Sequence, residues 1–476
     1  MRVVLAGLVV LGAVGLIAAQ EPDRSRPPAL GPAPALNLPD IARATLSNGL
    51  PVWLVEQHEV PLVQVNLVVR AGSAADPADQ FGIASLTAAM LDEGAGGRSA
   101  LELADAVEFL GAELGTASTF DFASVRLSTP VARLGDALPL MADVVMRPAF
   151  NGDELERLRK ERLTSLLQAR DNPNAIAGAA FPRLVFGATH RYGTSPLGTA
   201  AVLERLGVEQ LQRFHARYYR PDNAVLIVVG DVTAASAMPL LERTFGVWKA
   251  AGAPPAAPEV PTAAQRTARE VFLLDKPGAA QSQIRIGWVG VARHTPDFAA
   301  LDLLNTILGG SFTSRLNTNL REKNGYAYGA GSTFDMRAAA GPFFAYAGVQ
   351  TDKTAEALRE FFVELDGIRR PVGEEEFRKA RNYIVLGYPS EFETSRDLAQ
   401  KLEQQFVYNL PDDYYETYTR RIEQVTIADL ERAAERYIRP DRFAVVVVGD
   451  RSVIEPGIRA LNLGPLTVVP LDDVFR

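Results

Sequence analysis

The chain has 476 residues, 47% hydrophobic and 22% charged, with a formal net charge of −8 and a pI near 5.3. This is the composition of a soluble protein long enough for about three domains, and its acidic balance argues against nucleic acid as the main partner, since neutralising phosphates needs clustered excess Lys and Arg. The absence of Cys excludes disulfides, zinc–thiolate centres, iron–sulfur clusters and cysteine nucleophiles.

Met1-Arg2 opens an uninterrupted apolar run of 17 residues, Val3 to Ala19, followed by Gln20 and a Pro-rich stretch. This pattern predicts a secretory signal peptide over 1–19, and so a mature protein that is periplasmic or secreted, with no stable membrane span once the signal is removed. The alternative is an uncleaved anchor, for which 17 residues is the lower limit. Residues 20–38 read as a tether without periodicity, and 251–269 (AGAPPAAPEVPTAAQRTAR) as an interdomain linker, because Pro and Ala repeats offer no core-facing stripe.

Between them, β-rich runs at Val52–Val55, Val63–Arg70, Ser124–Ser128 and Ala224–Val229 alternate with helical periodicity at Leu101–Leu114 and Asp153–Ala169. The segment Arg217–Asp231 (RYYRPDNAVLIVVGD) recurs 219 residues later as Arg436–Asp450 (RYIRPDRFAVVVVGD). At the same offset Val52 matches Val271 and Gln64 matches Gln283. The chain therefore reads as a tandem duplication of an α/β unit of about 210 residues. The expected class is α+β, with two homologous halves, 39–250 and 270–476, of two subdomains each.

Two motif decoys carry no chemistry. Gly94–Ser99 lacks the Lys and spacing of a phosphate loop and reads as a turn between helices. Gly373–Glu376 reads as a helix N-terminus, where carboxylates favour the macrodipole. No G-x-S-x-G elbow supports a serine hydrolase.

Leu46–Val52 (LSNGLPV), Ala71–Ser73, Gly82–Ala84, Tyr192-Gly193, Pro196–Thr199, Tyr219–Asn223 and Gly230-Asp231, then Gly309-Gly310, Ser314–Leu316, Leu320–Glu322 and Gly325–Tyr328, occur in an order and spacing that resemble the insulinase/pitrilysin-type zinc peptidases, which include mitochondrial processing peptidase and its non-catalytic relatives. The resemblance covers nearly all of the mature chain. It implies a half-shell architecture enclosing a peptide chamber. Active members carry H-x-x-E-H on the helix after the Gly-x-Ala step: two His on one helix face hold zinc, and the Glu is the general base. Here those three positions fall on Ser85, Ala88 and Ala89, and the distal carboxylate ligand falls near Gln168. The resemblance thus implies a degenerate site with no metal in this chain. The four His, at 58, 190, 215 and 294, are too scattered to replace it, and each reads as a loop or packing residue.

In the second half, Ser314–Glu322 reads as a helix stopped by Asn324-Gly325, with a strand beginning at Tyr326. The family's pair at the positions of Arg321 and Tyr328 reaches toward substrate bound at the zinc half, and guanidinium and phenol donors suit peptide carbonyls or a carboxylate. The resemblance then implies a non-catalytic, peptide-binding subunit of a heteromeric zinc peptidase, with zinc supplied by a homologous H-x-x-E-H partner. The alternatives are a peptide-binding or structural scaffold without a protease partner, and an endopeptidase in its own right.

Overall fold

The computed structural model describes Gly31 and residues 36–475, so the expected signal peptide and most of the tether lie outside the described residues. The first half builds a six-stranded sheet from β1 (Ala42–Thr45), β2 (Pro51–Glu56), β3 (Leu62–Val69), β4 (Glu113–Ser118), β5 (Ala123–Pro130) and β6 (Ala224–Gly230), in the order β1-β2-β6-β3-β5-β4. The second half repeats it with β7 (Glu270–Asp275), β8 (Gln281–Val289), β9 (Ala327–Phe334), β10 (Pro342–Gln350), β11 (Ala444–Gly449) and β12 (Leu466–Val468), in the order β12-β7-β11-β8-β10-β9. The 219-residue shift read from the sequence preserves the pairing register. Val52 lies opposite Leu226, and Val271 opposite Val445; Gln64 faces Val229, and Gln283 faces Val448.

Every residue of β6 and of β11 is buried. Continuous apolar runs of this kind belong to strands covered on both faces. One face of each sheet packs on the helices of its own half. The other face is covered by a helix from the opposite half. Pro173–Phe186 lays Ile176, Ala180 and Phe181 on Leu274, Val446 and Val448, while Ser395–Val407 lays Leu398, Ala399 and Leu402 on Val68, Val225 and Ile227. Each half thus has a single sheet, one face of which is closed by a helix that crosses over from the other half. Residues 36–475 form one unit for this reason.

One helix end differs from the sequence reading. The helix read over Leu101–Leu114 ends at Phe109; Gly111, at φ +61°, turns the chain into the edge strand β4. Pairing with β5 overrides the helical pattern there. Residues 251–269 form no helix or strand but are tied down by side-chain bonds. Arg220 donates to the carbonyls of Ala251, Gly252 and Ala253, Arg266 to that of Leu184, and Gln265 to that of Val289. Among the described residues no helix is long and apolar enough to cross a membrane.

Candidate functional site

Ser85, Ala88 and Ala89 lie on the helix Ile83–Met90, which starts at Gly82 with φ +104°. A Cβ at Gly82 would stand 2.8 Å from the backbone of Gly198, so two of the sequence anchors are glycines because their backbones touch. The helix N-terminus is capped from a distance. The fully buried Asp76 carboxylate accepts from the N–H groups of Gly82 (2.7 Å) and Ala84 (2.9 Å), and from Arg191 Nη2 at 2.8 Å. Arg191 in turn donates to the carbonyl of Ser73 and the hydroxyl of Thr194, and lies over the rings of Phe81 and Phe120. Burial pushes the Asp76 carboxyl up to about 6, against the pull of Arg191 and the two N–H groups.

The space facing Ser85 is filled by Arg162, from the helix Gly152–Ala169. Its Nη1 donates to Ser85 Oγ and its Nη2 to the Ser85 carbonyl, both at 2.8 Å. Burial lowers the Arg162 pKa to about 10, so the group is still a cation at neutral pH. Ala88 is buried and Ala89 half-buried, and neither side chain has a donor atom. Gln168 is exposed on the same helix as Arg162 but six residues further along, and it is not brought together with the other three positions. The residue that meets Ser85 is an arginine that the sequence reading did not single out, since the helix carries arginines at 157, 159 and 162 and its periodicity does not mark one of them. These residues do not fit a zinc ion: the one hydroxyl is engaged by a guanidinium, positions 88 and 89 carry only methyl groups, and the Gln168 amide is at the surface. Among the described residues, no group of three or more His, Asp or Glu converges to hold a metal.

One helical turn beyond Arg162, Ser165, Leu166 and Ala169 line a mainly apolar cavity of about 350 Å³ together with Ala179, Pro182 and Leu197, with Arg183 and Arg337 also in its wall. On the other flank β4 packs on the Ile83–Met90 helix and, as the last strand of its sheet, leaves one backbone edge unpaired.

The histidines are accounted for locally. His58 Nδ1 lies 2.7 Å from Asp231 at the surface, and that carboxylate raises its pKa. His190 accepts from the Tyr192 N–H and contacts the Pro261 carbonyl at 2.8 Å. His215 is packed under Tyr219 and donates to the Val145 carbonyl at 2.8 Å, with its pKa lowered by burial. His294 sits in the loop before the helix Phe298–Asn305.

In the second half, Ser314–Glu322 is helical but wider than an α-helix from Thr318 to Lys323, and Gly325 takes the positive φ (+65°) that the Asn-Gly step suggested. Arg321 lies in this turn, with its guanidinium 4.7 Å from the Phe312 ring and Nε 3.3 Å from Glu322. Tyr328 lies on the edge strand β9 and is 89% exposed. The two side chains share no hydrogen bond or stacking contact with each other.

The family described as insulinase (peptidase family M16) matches residues 52–192, and the family described as the peptidase M16 inactive domain matches residues 205–384. An uncharacterized zinc protease of Mycobacterium tuberculosis is 27% identical over 408 residues, which is 86% of this chain and 92% of that protein. Zinc protease PqqE of Helicobacter pylori is 25% identical over 422 residues, 86% of this chain and 93% of its own. A crystal structure of a peptidase M16 inactive domain from Pseudomonas fluorescens is similar at a TM-score of 0.80 and 27% identity, over 86% of this chain and 98% of that one. Two M16 matches follow one another along a duplicated fold that one such domain shares over nearly its whole length, and the chain belongs to the insulinase-type M16 peptidase family.

Proposed function

We propose that this chain is the non-catalytic, peptide-binding subunit of a periplasmic or secreted heteromeric zinc peptidase, in which a homologous H-x-x-E-H partner supplies the zinc. The observation that carries this reading is the Arg162–Ser85 pair, which fills the face where a catalytic member needs its ligands and base. Activity in this family's manner then requires a second chain. Arg321 and Tyr328 are the groups this chain offers to the shared substrate. A phenol that is 89% exposed on an edge strand contributes little to packing, and its hydroxyl is available to a peptide carbonyl. Arg321 is held against Phe312 with most of its donors unused.

Reconstitution with the zinc subunit tests the reading. Tyr328→Phe removes one hydroxyl with little change in volume, and Arg321→Ala removes the charge and the stem. Each should lower kcat/KM by roughly 5- to 150-fold, the worth of a lost hydrogen bond of about 1–3 kcal/mol. Assembly measured by size-exclusion chromatography should be unchanged. Normal assembly together with full kcat/KM in both variants would sink the assignment and favour a scaffold.

A further inference from the structure

Arg162 stands apart from the other arginines of its helix. The more exposed Arg157 is met by three carboxylates, Glu93, Glu154 and Glu161. Arg159 is met by Glu156 and by the carbonyls of Leu203 and Leu206. Arg162 is half-buried like Arg159, yet its bonds go only to the neutral oxygens of Ser85. The neighbouring carboxylate, Asp76, is already shared between Arg191 and two helix N–H groups. Two guanidinium groups therefore stand near one carboxylate. A charge drawn partly out of water is ordinarily paired, and this position has one positive charge in excess.

The unused hydrogen-bonding capacity has the same sign. Two of the five N–H groups of Arg162 are engaged. Ser85 Oγ accepts from Arg162, which leaves its own hydrogen free to donate. The substitutions at 88 and 89 leave methyl groups beside these donors, and Ala89 is half-open to solvent. The free edge of β4 offers pairing to an extended backbone along the same helix, and the 350 Å³ mainly apolar cavity lies one turn further on.

We infer that Arg162 and Ser85 form a carboxylate-binding position on the face where the family's metal site has been lost, taking the C-terminal carboxylate or an acidic side chain of an extended peptide. This deepens the peptide-binding reading by naming the chemistry of the ligand. It does not depend on the partner, so its failure would leave the partner-dependent reading standing.

The test uses the mature chain alone and calorimetric titration of three probes: N-acetyl-Ala-Ala-Leu with a free carboxylate, its amide, and the amide of N-acetyl-Ala-Glu-Leu. Charge-assisted bonds from a forked guanidinium should favour at least one carboxylate-bearing peptide over the neutral amide by about tenfold or more. The free acid or the Glu peptide, whichever prevails, identifies the source of the carboxylate. Arg162→Met should erase the preference, and Arg162→Lys should retain part of it, since the charge stays while the fork is lost. Equal binding of all three peptides to the unmodified protein would overturn the proposal without need of any variant. So would a folded Arg162→Met protein that keeps the preference.

Discussion

The two sheets share one backbone plan, and they solve the problem of the crossing helix in opposite ways. Under the 219-residue shift Asn66 corresponds to Arg285, and each lies beside its strand partner, Arg126 in the first sheet and Tyr346 in the second. On the first sheet the crossing helix Ser395–Val407 inserts Glu403, which is buried and accepts from Arg126 Nε (2.9 Å) and Nη2 (2.6 Å) and from Asn66 Nδ2 (2.7 Å). On the second sheet the crossing helix Pro173–Phe186 brings Phe181 onto Phe344, and Arg285 lies over the Phe344 ring with one bond to Asn174 at 3.2 Å. One junction is an ion pair with its remaining oxygens satisfied; the other is aromatic, with an arginine lying across it. Duplication preserved register and topology, while the residues that face the other half diverged.

The largest expected effect separates these two junctions. Glu403→Ala leaves Arg126 and Asn66 without their acceptor in a buried interface and should cost about 3–5 kcal/mol in urea unfolding. Arg285→Met keeps the stem over Phe344, removes a half-buried charge that has no carboxylate bond, and should fall within about 1 kcal/mol of the parent. Equal costs at the two positions would break the comparison.

The second effect is pH-dependent and concerns the carboxylate cap of the first half's helix Ile83–Met90. Asp76 caps the Ile83–Met90 helix from a buried position, whereas the corresponding helix Phe298–Asn305 has no side-chain cap bond. With its carboxyl pushed from the ordinary 3.8 up to about 6, the folded state holds the Asp76 proton more tightly than the unfolded chain does. Its contribution to stability is then fully present below about pH 4 and is lost as pH rises through about 6, by up to roughly 3 kcal/mol. The difference in unfolding free energy between the parent and Asp76→Asn, followed from pH 4 to 7, should show this slope. A flat difference would mean that Arg191 fully offsets the burial.

Much of the architecture was legible because repetition carries information that a single segment lacks. Arg217–Asp231 and its copy fixed the offset, and the offset fixed which strands correspond. The family resemblance placed the ligand positions on Ser85, Ala88 and Ala89, and an alanine has no donor whatever surrounds it. What could not be read were the tertiary substitutions. Nothing in the spacing of Arg162 shows that it reaches Ser85 across 77 residues, because helix Gly152–Ala169 carries arginines on several faces and only packing selects one. The resemblance placed the lost distal ligand near Gln168, which the turn of the helix carries to the surface. The exchange of helices between halves was likewise hidden, because an apolar face does not state which sheet it will cover. Strand β4 was lost for a related reason: its small residues favour no conformation strongly, and its pairing with β5 decides the outcome.

The smallest expected effect tests whether one repeated motif does one job. Both halves end their central strand in Gly-Asp, at 230–231 and 449–450. In the second half Asp450 caps the helix Arg451–Ala460, accepting from the Ser452 N–H at 3.1 Å, and also takes the Gly278 N–H at 2.8 Å. In the first half the helix Ala234–Phe245 is capped by Thr233 and Ser236 in a reciprocal box, and Asp231 turns instead to His58 at 2.7 Å. Losing an N-cap costs about 1 kcal/mol, because a helix N–H is left without its acceptor. An exposed carboxylate–imidazole pair is worth less, and only while the His is charged. Asp450→Ala should therefore lower stability at any pH above the carboxylate range, through the lost N-cap. Asp231→Ala should be near neutral at pH 8 and show a small cost only as His58 protonates. His58 has its folded pKa raised by Asp231, so that contribution is present at low pH and disappears as pH rises through the folded value. If the two alanine variants lose the same stability at pH 8, the motif plays a single role in both halves, and the divergence seen at the crossing helices does not extend to the strand ends.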